Sequence, residues 1–95
     1  MITIRRLRWD PGNVAHIARH GITIEDVETA CHSEPLVLQG YGGRLLVFGP
    51  ARDGRLLTIV LEPETEEGNY DVITARHASR RERVMYRQEK ELEGD

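Results

Sequence analysis

Two apolar runs set the strongest limit on what this chain can fold into. Leu45–Phe48 and Leu56–Leu61, the second broken only by Thr58, flank an Asp53-Gly54 pair. Runs this short are strand-length, and Asp-Gly between two of them is a strong hairpin signal. Arg44–Gly49 and Arg55–Leu61 therefore read as neighbouring antiparallel strands at the centre of a sheet, buried on at least one face.

The flanking segments supply the other elements. Ile2–Trp9 alternates imperfectly, as a half-buried strand does. Asp10-Pro11 opens a helix, since Asp accepts from free backbone N–H groups and Pro loses nothing at the first helical position. Val14, Ile17 and Ala18 give that helix one apolar stripe, and Gly21 stops it. Thr23 and Asp26 form a capping box for a second helix, with Ile24, Val27 and Cys31 as its core stripe and Ser33-Pro35 as its end. Leu36–Gln39 reads as a short edge strand, Gly40–Gly43 as a turn, and Glu62–Asn69 as an acidic loop. Tyr70–Thr74 reads as the last strand and Ala78–Leu92 as a charged helix.

The expected architecture is α+β: a small antiparallel sheet of four to five strands with two N-terminal helices and one C-terminal helix, the helices packed on one face. A single domain spans residues 1–95, and the acidic tail, about 88–95, is expected to fray. Arg44 and Arg55 stand at strand entries and Arg76 at a strand exit. If the strands of Arg44 and Arg76 pair, the two arginines meet at one end of the sheet.

A chain of 95 residues buries only about two-thirds of its unfolded surface, so a partner that binds the folded form adds usefully to stability. No apolar run approaches the roughly 20 residues of a membrane span, and no apolar stretch follows the N-terminal charges as in a secretory signal. Cytoplasm is the expected compartment. Cys31 is the single cysteine, and no Cys/His group has zinc spacing. Neither metal nor cofactor is expected.

A net charge of −3 argues against a generally basic nucleic-acid binder, but the average hides a segregation. Arg5, Arg6, Arg8 and Arg19 cluster early, and Arg76, Arg80, Arg81, Arg83 and Arg87 cluster late. Acidic residues fill the middle and the tail. All 13 cations except Lys90 are arginine, whose planar fork suits phosphate or carboxylate.

Three segments together resemble the BrnT family. Trp9-Asp10-Pro11 leading to His20-Gly21-Ile22-Thr23 is similar to the family's opening, and Asp53–Val60 to its central hairpin. The most specific is Val72-Ile73-Thr74-Ala75-Arg76-His77-Ala78-Ser79-Arg80-Arg81-Glu82-Arg83-Val84-Met85-Tyr86, which resembles its ending. Asn13 and Arg19 stand where the family often has lysine, and Gly42-Gly43-Arg44 replaces its acidic-Arg element. The resemblance implies a RelE-like fold and the toxin half of a type II toxin–antitoxin pair. The implied activity is metal-independent RNA cleavage that inhibits growth. The implied partners are RNA and a ribbon–helix–helix antitoxin of the BrnA kind, with DNA reached only through the antitoxin. No membrane is involved, and a homodimer and a heterotetramer both remain open.

Attack of a 2′-OH on the adjacent phosphate needs a base, an acid and cations for the developing charge. Arg76, Arg44, His20 and Arg80 are the catalytic candidates; Arg83, Tyr86 and His77 are the RNA-binding ones. Each has a structural alternative. Arg76 can pair with Asp71 or Glu82, and Arg80 and Arg83 share a helix face that is solvated in most proteins. His20 can cap or pack at its helix end. With His16 it has the i, i+4 spacing of a two-histidine metal site, but no motif supplies a third ligand. Trp9 is read as a packing residue. The alternative function is a catalytically inactive, toxin-like binding module that pairs with a DNA-binding antitoxin for co-regulation. The antitoxin is expected on the last helix and on the sheet edge at Leu36–Gln39.

Overall fold

The computed structural model describes residues 2–93. Five strands, β1 (Arg6–Arg8), β2 (Leu36–Gln39), β3 (Leu45–Pro50), β4 (Leu56–Pro63) and β5 (Asn69–His77), form one sheet. Their order across the sheet is β1-β5-β4-β3-β2. Helices α1 (Pro11–Ala18) and α2 (Ile24–His32) lie between β1 and β2 in sequence, and α3 (Arg80–Glu93) closes the chain. The fold is α+β, as the alternation of apolar patterns implies.

Local signals place most boundaries. The Asp10 side chain accepts from the Gly12 N–H with Pro11 in the first turn, and Gly21 takes φ +71° just past the end of α1. Thr23 and Asp26 make the reciprocal capping box of α2. In the β3–β4 hairpin, the Ala51 N–H donates to the Arg55 carbonyl and the Gly54 N–H to the Ala51 carbonyl; Gly54 has φ +91°. A side chain at that angle would be strained.

Four expectations need correction. The sheet is mixed, because β1 runs parallel to β5 (Leu7 beside Tyr70) while every other pairing is antiparallel. The last strand runs on to His77, since antiparallel pairing with Leu57, Thr58 and Ile59 carries it past Thr74. The core stripes differ by a residue each: Ala18 and Ile24 are exposed, and Ala30 is buried instead. Helix α3 runs through Glu93, and the rest of the tail, Gly94 and Asp95, lies outside the described residues.

The fourth correction concerns the helices. Val47, Leu57, Ile59, Leu61, Val72 and Ala75 face one side of the sheet and pack with Ile17, Ile22, Val27, Ala30 and Cys31 from α1, α2 and the turn between them. Neighbouring strand residues point to opposite faces. Thr58, between Leu57 and Ile59, therefore faces away from that core, yet it is 1% exposed. Its Oγ1 donates to Glu82 of α3 at 3.0 Å. Helix α3 thus lies on the second face, opposite α1 and α2.

The two faces are held differently. None of the α3 residues is fully buried. Polar links fix the helix: Glu82 to Arg76 and Thr58, the Arg83 guanidinium to the Ala78 carbonyl, and the Lys90 ammonium to the Glu34 carbonyl. On the other face the Asn13 amide donates to the Val72 carbonyl at 2.6 Å, anchoring α1 beside β5.

Candidate functional site

Both β3 and β5 pair antiparallel with β4, so they run parallel to each other. Residues at the end of β3, the start of β4 and the end of β5 therefore share one end of the sheet, that of the β3–β4 hairpin. Arg55, Arg76 and His77 stand there. Gly21 joins them, because its carbonyl accepts from Arg55 Nη1 at 3.1 Å. His20 follows, its carbonyl 2.8 Å from His77 Nε2. From the second face α3 brings Arg83, whose Nη1 donates to Ala78, the residue after His77, at 2.9 Å.

Five of the seven candidates, Arg76, Arg83, His20, His77 and Tyr86, come from segments that meet at this end. Arg44 does not. It precedes β3, next to the Leu45–Leu61 pair, while Arg76 lies opposite Thr58. The four-residue offset from Thr58 to Glu62 along β4 puts about 13 Å of strand between them. The expected meeting of Arg44 and Arg76 fails because their strands are not neighbours: β4 separates them. Arg44 instead faces Glu62 at 3.7 Å.

Within the hairpin end the arginines divide into those paired with carboxylates and those that are not. Arg76 makes a bidentate pair with Glu82, Nη1–Oε1 2.7 Å and Nη2–Oε2 2.9 Å. The arrangement matches the structural alternative to phosphate binding. Glu82 also accepts from the Ser79 N–H and the Thr58 hydroxyl. Arg76, foremost, and these hydrogen bonds hold the Glu82 carboxyl down at about 2. The pair fastens the start of α3 to the end of β5.

Arg55 is bound as well, to Asp53 at 2.6 Å and to Asp26 and the Gly21 carbonyl at 3.1 Å each. It ties the hairpin to the α1–α2 turn. Such partners lie 29 and 34 residues away, so reading Arg55 as a strand-entry residue did not anticipate them.

Arg83 and Arg87 differ: among the described residues neither has a carboxylate within ion-pair distance. With Tyr86, Arg55, Leu56, Pro50 and Gly54 they line a groove of about 390 Å³ between the hairpin and α3. Arg87 was not among the sequence candidates, although its place four residues after Arg83 puts the two on one helix face. Arg80 lies elsewhere, bordering an outward surface formed by α3 alone, with Arg81, Val84, Met85 and Gln88.

The histidines sit on the α1 side of the same end. The His20 carbonyl can only accept, so a hydrogen bond from His77 Nε2 requires the proton on that nitrogen. The neutral ring then carries its lone pair on Nδ1, available for a proton. His16 and His20 meet edge to face at 5.6 Å between ring centroids. Among the described residues no group of three or more His, Cys, Asp or Glu is placed to hold a metal. Cys31, raised to about 12 first by burial and then by Glu28, is a core thiol and not a nucleophile. Trp9 packs on the core and donates to Glu28 at 3.1 Å.

The opposite end of the sheet is acidic. Glu62, Glu64, Glu66, Glu67 and Asp71 gather in and beside the β4–β5 loop, with Arg8 near Glu64 and Arg44 near Glu62. Partial enclosure and a hydrogen bond shared with Asp71 raise the Glu64 carboxyl. Arg5 and Arg6 stand at this end as well, both backbone N–H groups donating to the Gly68 carbonyl, so its excess of acidic charge is small.

No protein-family model matches this chain, and no curated protein matches it. Among solved structures, the crystal structure of the Brucella abortus ribonuclease toxin BrnT is similar, with a TM-score of 0.63 and 23% sequence identity. The likeness covers 79% of this chain and 97% of that one. The chain therefore has the BrnT fold.

Proposed function

We propose that this protein is a ribonuclease toxin of a type II toxin–antitoxin pair, with the hairpin end of its sheet as the RNA-facing site. The observation that carries the proposal is the groove lined by Arg83, Arg87 and Tyr86, on a fold shared with a ribonuclease toxin. Two arginines without carboxylate partners among the described residues offer forked donors for phosphate, and the tyrosine ring offers a stacking surface for a base.

The reaction proposed is transesterification. His77 Nδ1 accepts the 2′-OH proton as the 2′-oxygen bonds to phosphorus, and the P–O5′ bond breaks. A protonated side chain at the same end, with His20 the candidate, returns a proton to the 5′-oxygen. Arg83 and Arg87, on the α3 side of the same end, hold a flanking phosphate of the strand. No metal enters this route. Arg76 is a positioning residue here, holding α3 through Glu82. A ribbon–helix–helix antitoxin that covers the basic end is the proposed partner, DNA being contacted only through it. The cytoplasm is the proposed compartment.

Expression of the wild-type chain without any partner is expected to arrest growth with loss of total RNA. Arg83→Ala/Arg87→Ala is expected to relieve the arrest at equal soluble level. Growth unaffected by the folded wild type would sink the toxin reading. It would favour the second one, a catalytically inactive binding module, which has its own support: Arg44 and Arg76 are already occupied by carboxylates.

A further inference from the structure

The outward surface of α3 is not used by the site just described. Val84 is 40% and Leu92 73% exposed, with Met85 between them partly exposed. Arg81, Met85, Gln88 and Leu92 follow the 4-3-4 spacing of a two-helix seam. The sheet-facing side is pinned by Glu82 and Lys90, so the stripe is held away from the sheet.

The charges of α3 say what would cover it. Its first half carries Arg80, Arg81, Arg83 and Arg87, and its second half Glu89, Glu91 and Glu93. The two residues that break this division, Glu82 and Lys90, are both bound to the body of the domain. What remains is basic and then acidic. That order is backwards for a helix alone, whose N-terminal end favours anions and whose C-terminal end favours cations. A second copy of α3 laid antiparallel corrects it, setting each basic half against the other's acidic half.

We propose that α3 is the contact of a two-fold symmetric homodimer, in which the Val84, Met85 and Leu92 stripes of two copies pack antiparallel. With Met85 of each copy beside Gln88 of the other, Arg80 and Arg81 come alongside Glu91, while Glu93 stays with Lys90 of its own helix. Such a contact is isologous and closes without leaving a free surface. The groove at Arg83 and Arg87 lies to the side of the stripe and stays open.

Sedimentation of the full chain over a concentration series tests the proposal. The wild type is expected to pass from monomer to dimer mass, and Val84→Glu/Leu92→Glu to remain monomeric with unchanged helix content. Arg80→Glu/Arg81→Glu is expected to weaken association by about tenfold or more. Adding Glu91→Arg to that same chain is expected to restore most of it, because the reversed charges again meet their complement. A wild type of monomer mass at every concentration overturns the proposal and leaves the stripe to a different chain. A dimer indifferent to these reversals also overturns it.

Discussion

Gly49→Ala is expected to cost the fold more than half of its stability. Gly49 lies in β3 opposite Leu57, on the face that packs against α2. A Cβ there would stand 2.2 Å from the Ala30 carbonyl oxygen and 2.9 Å from its carbon. The obstacle is helix backbone, so no side-chain rotation relieves it. Either α2 moves off the sheet, opening the core around Val27, Ala30 and Cys31, or β3 bends and loses its pairing with β4. Overpacking of this kind costs about 3 kcal/mol, a large part of the roughly 5 kcal/mol that a small domain commands. Thermal unfolding checks it: loss of the transition, or a midpoint lower by roughly 15 °C, is expected. An unshifted midpoint would mean that α2 does not sit on Gly49.

The second large effect is at Glu82. Its carboxylate receives both Arg76 nitrogens, the Ser79 N–H and the Thr58 hydroxyl, and so joins β4, β5 and α3. Glu82→Gln keeps the shape but loses the charge, and its NH₂ cannot accept from the guanidinium. Charge-assisted hydrogen bonds contribute about 2 kcal/mol when one partner is half in solvent, as Arg76 is. The pH dependence gives the sign. The carboxyl is held at about 2 in the fold against 4.5 ordinarily, so its stabilisation is fully present above pH 4.5. It is lost as pH falls toward 2. Acid titration of stability should show this loss in the wild type and a smaller one in Glu82→Gln. Equal slopes for the two proteins would remove Glu82 from its place as the link between sheet and helix.

Much of the architecture was legible because its signals are local. Asp10-Pro11, Thr23 with Asp26, and Asp53-Gly54 act within a few residues of themselves, and the starts of α1 and α2 and the hairpin lie where those residues put them. The side of the sheet that α3 takes was not legible. Apolar periodicity normally marks the buried face, but here Val84 and Leu92 are exposed while Glu82 and Lys90 hold the helix in place. The parallel β1–β5 pairing joins residues more than sixty apart, and no local pattern encodes it.

The candidate site divides in the same way. The arginine-rich run from 76 to 87 was visible, and so were His20 and His77. Which arginines are already paired depends on register and on the face α3 occupies. Arg44 shows the cost of lacking that information, since its strand entry lies at the acidic end beside Glu62. Arg76 shows it differently, standing at the expected end but held by Glu82.

The most direct test of the account is incubation of the purified chain with a short single-stranded RNA in chelator, with the product ends identified. Cleavage to 2′,3′-cyclic phosphate and 5′-hydroxyl ends is expected, and is expected to be lost in Arg83→Ala/Arg87→Ala assayed well below its thermal midpoint, which falls modestly with the Arg83–Ala78 hydrogen bond. Uncut RNA with folded wild-type protein would contradict the ribonuclease claim. Cleavage untouched by the double substitution would contradict the placing of the site in the groove beside Tyr86.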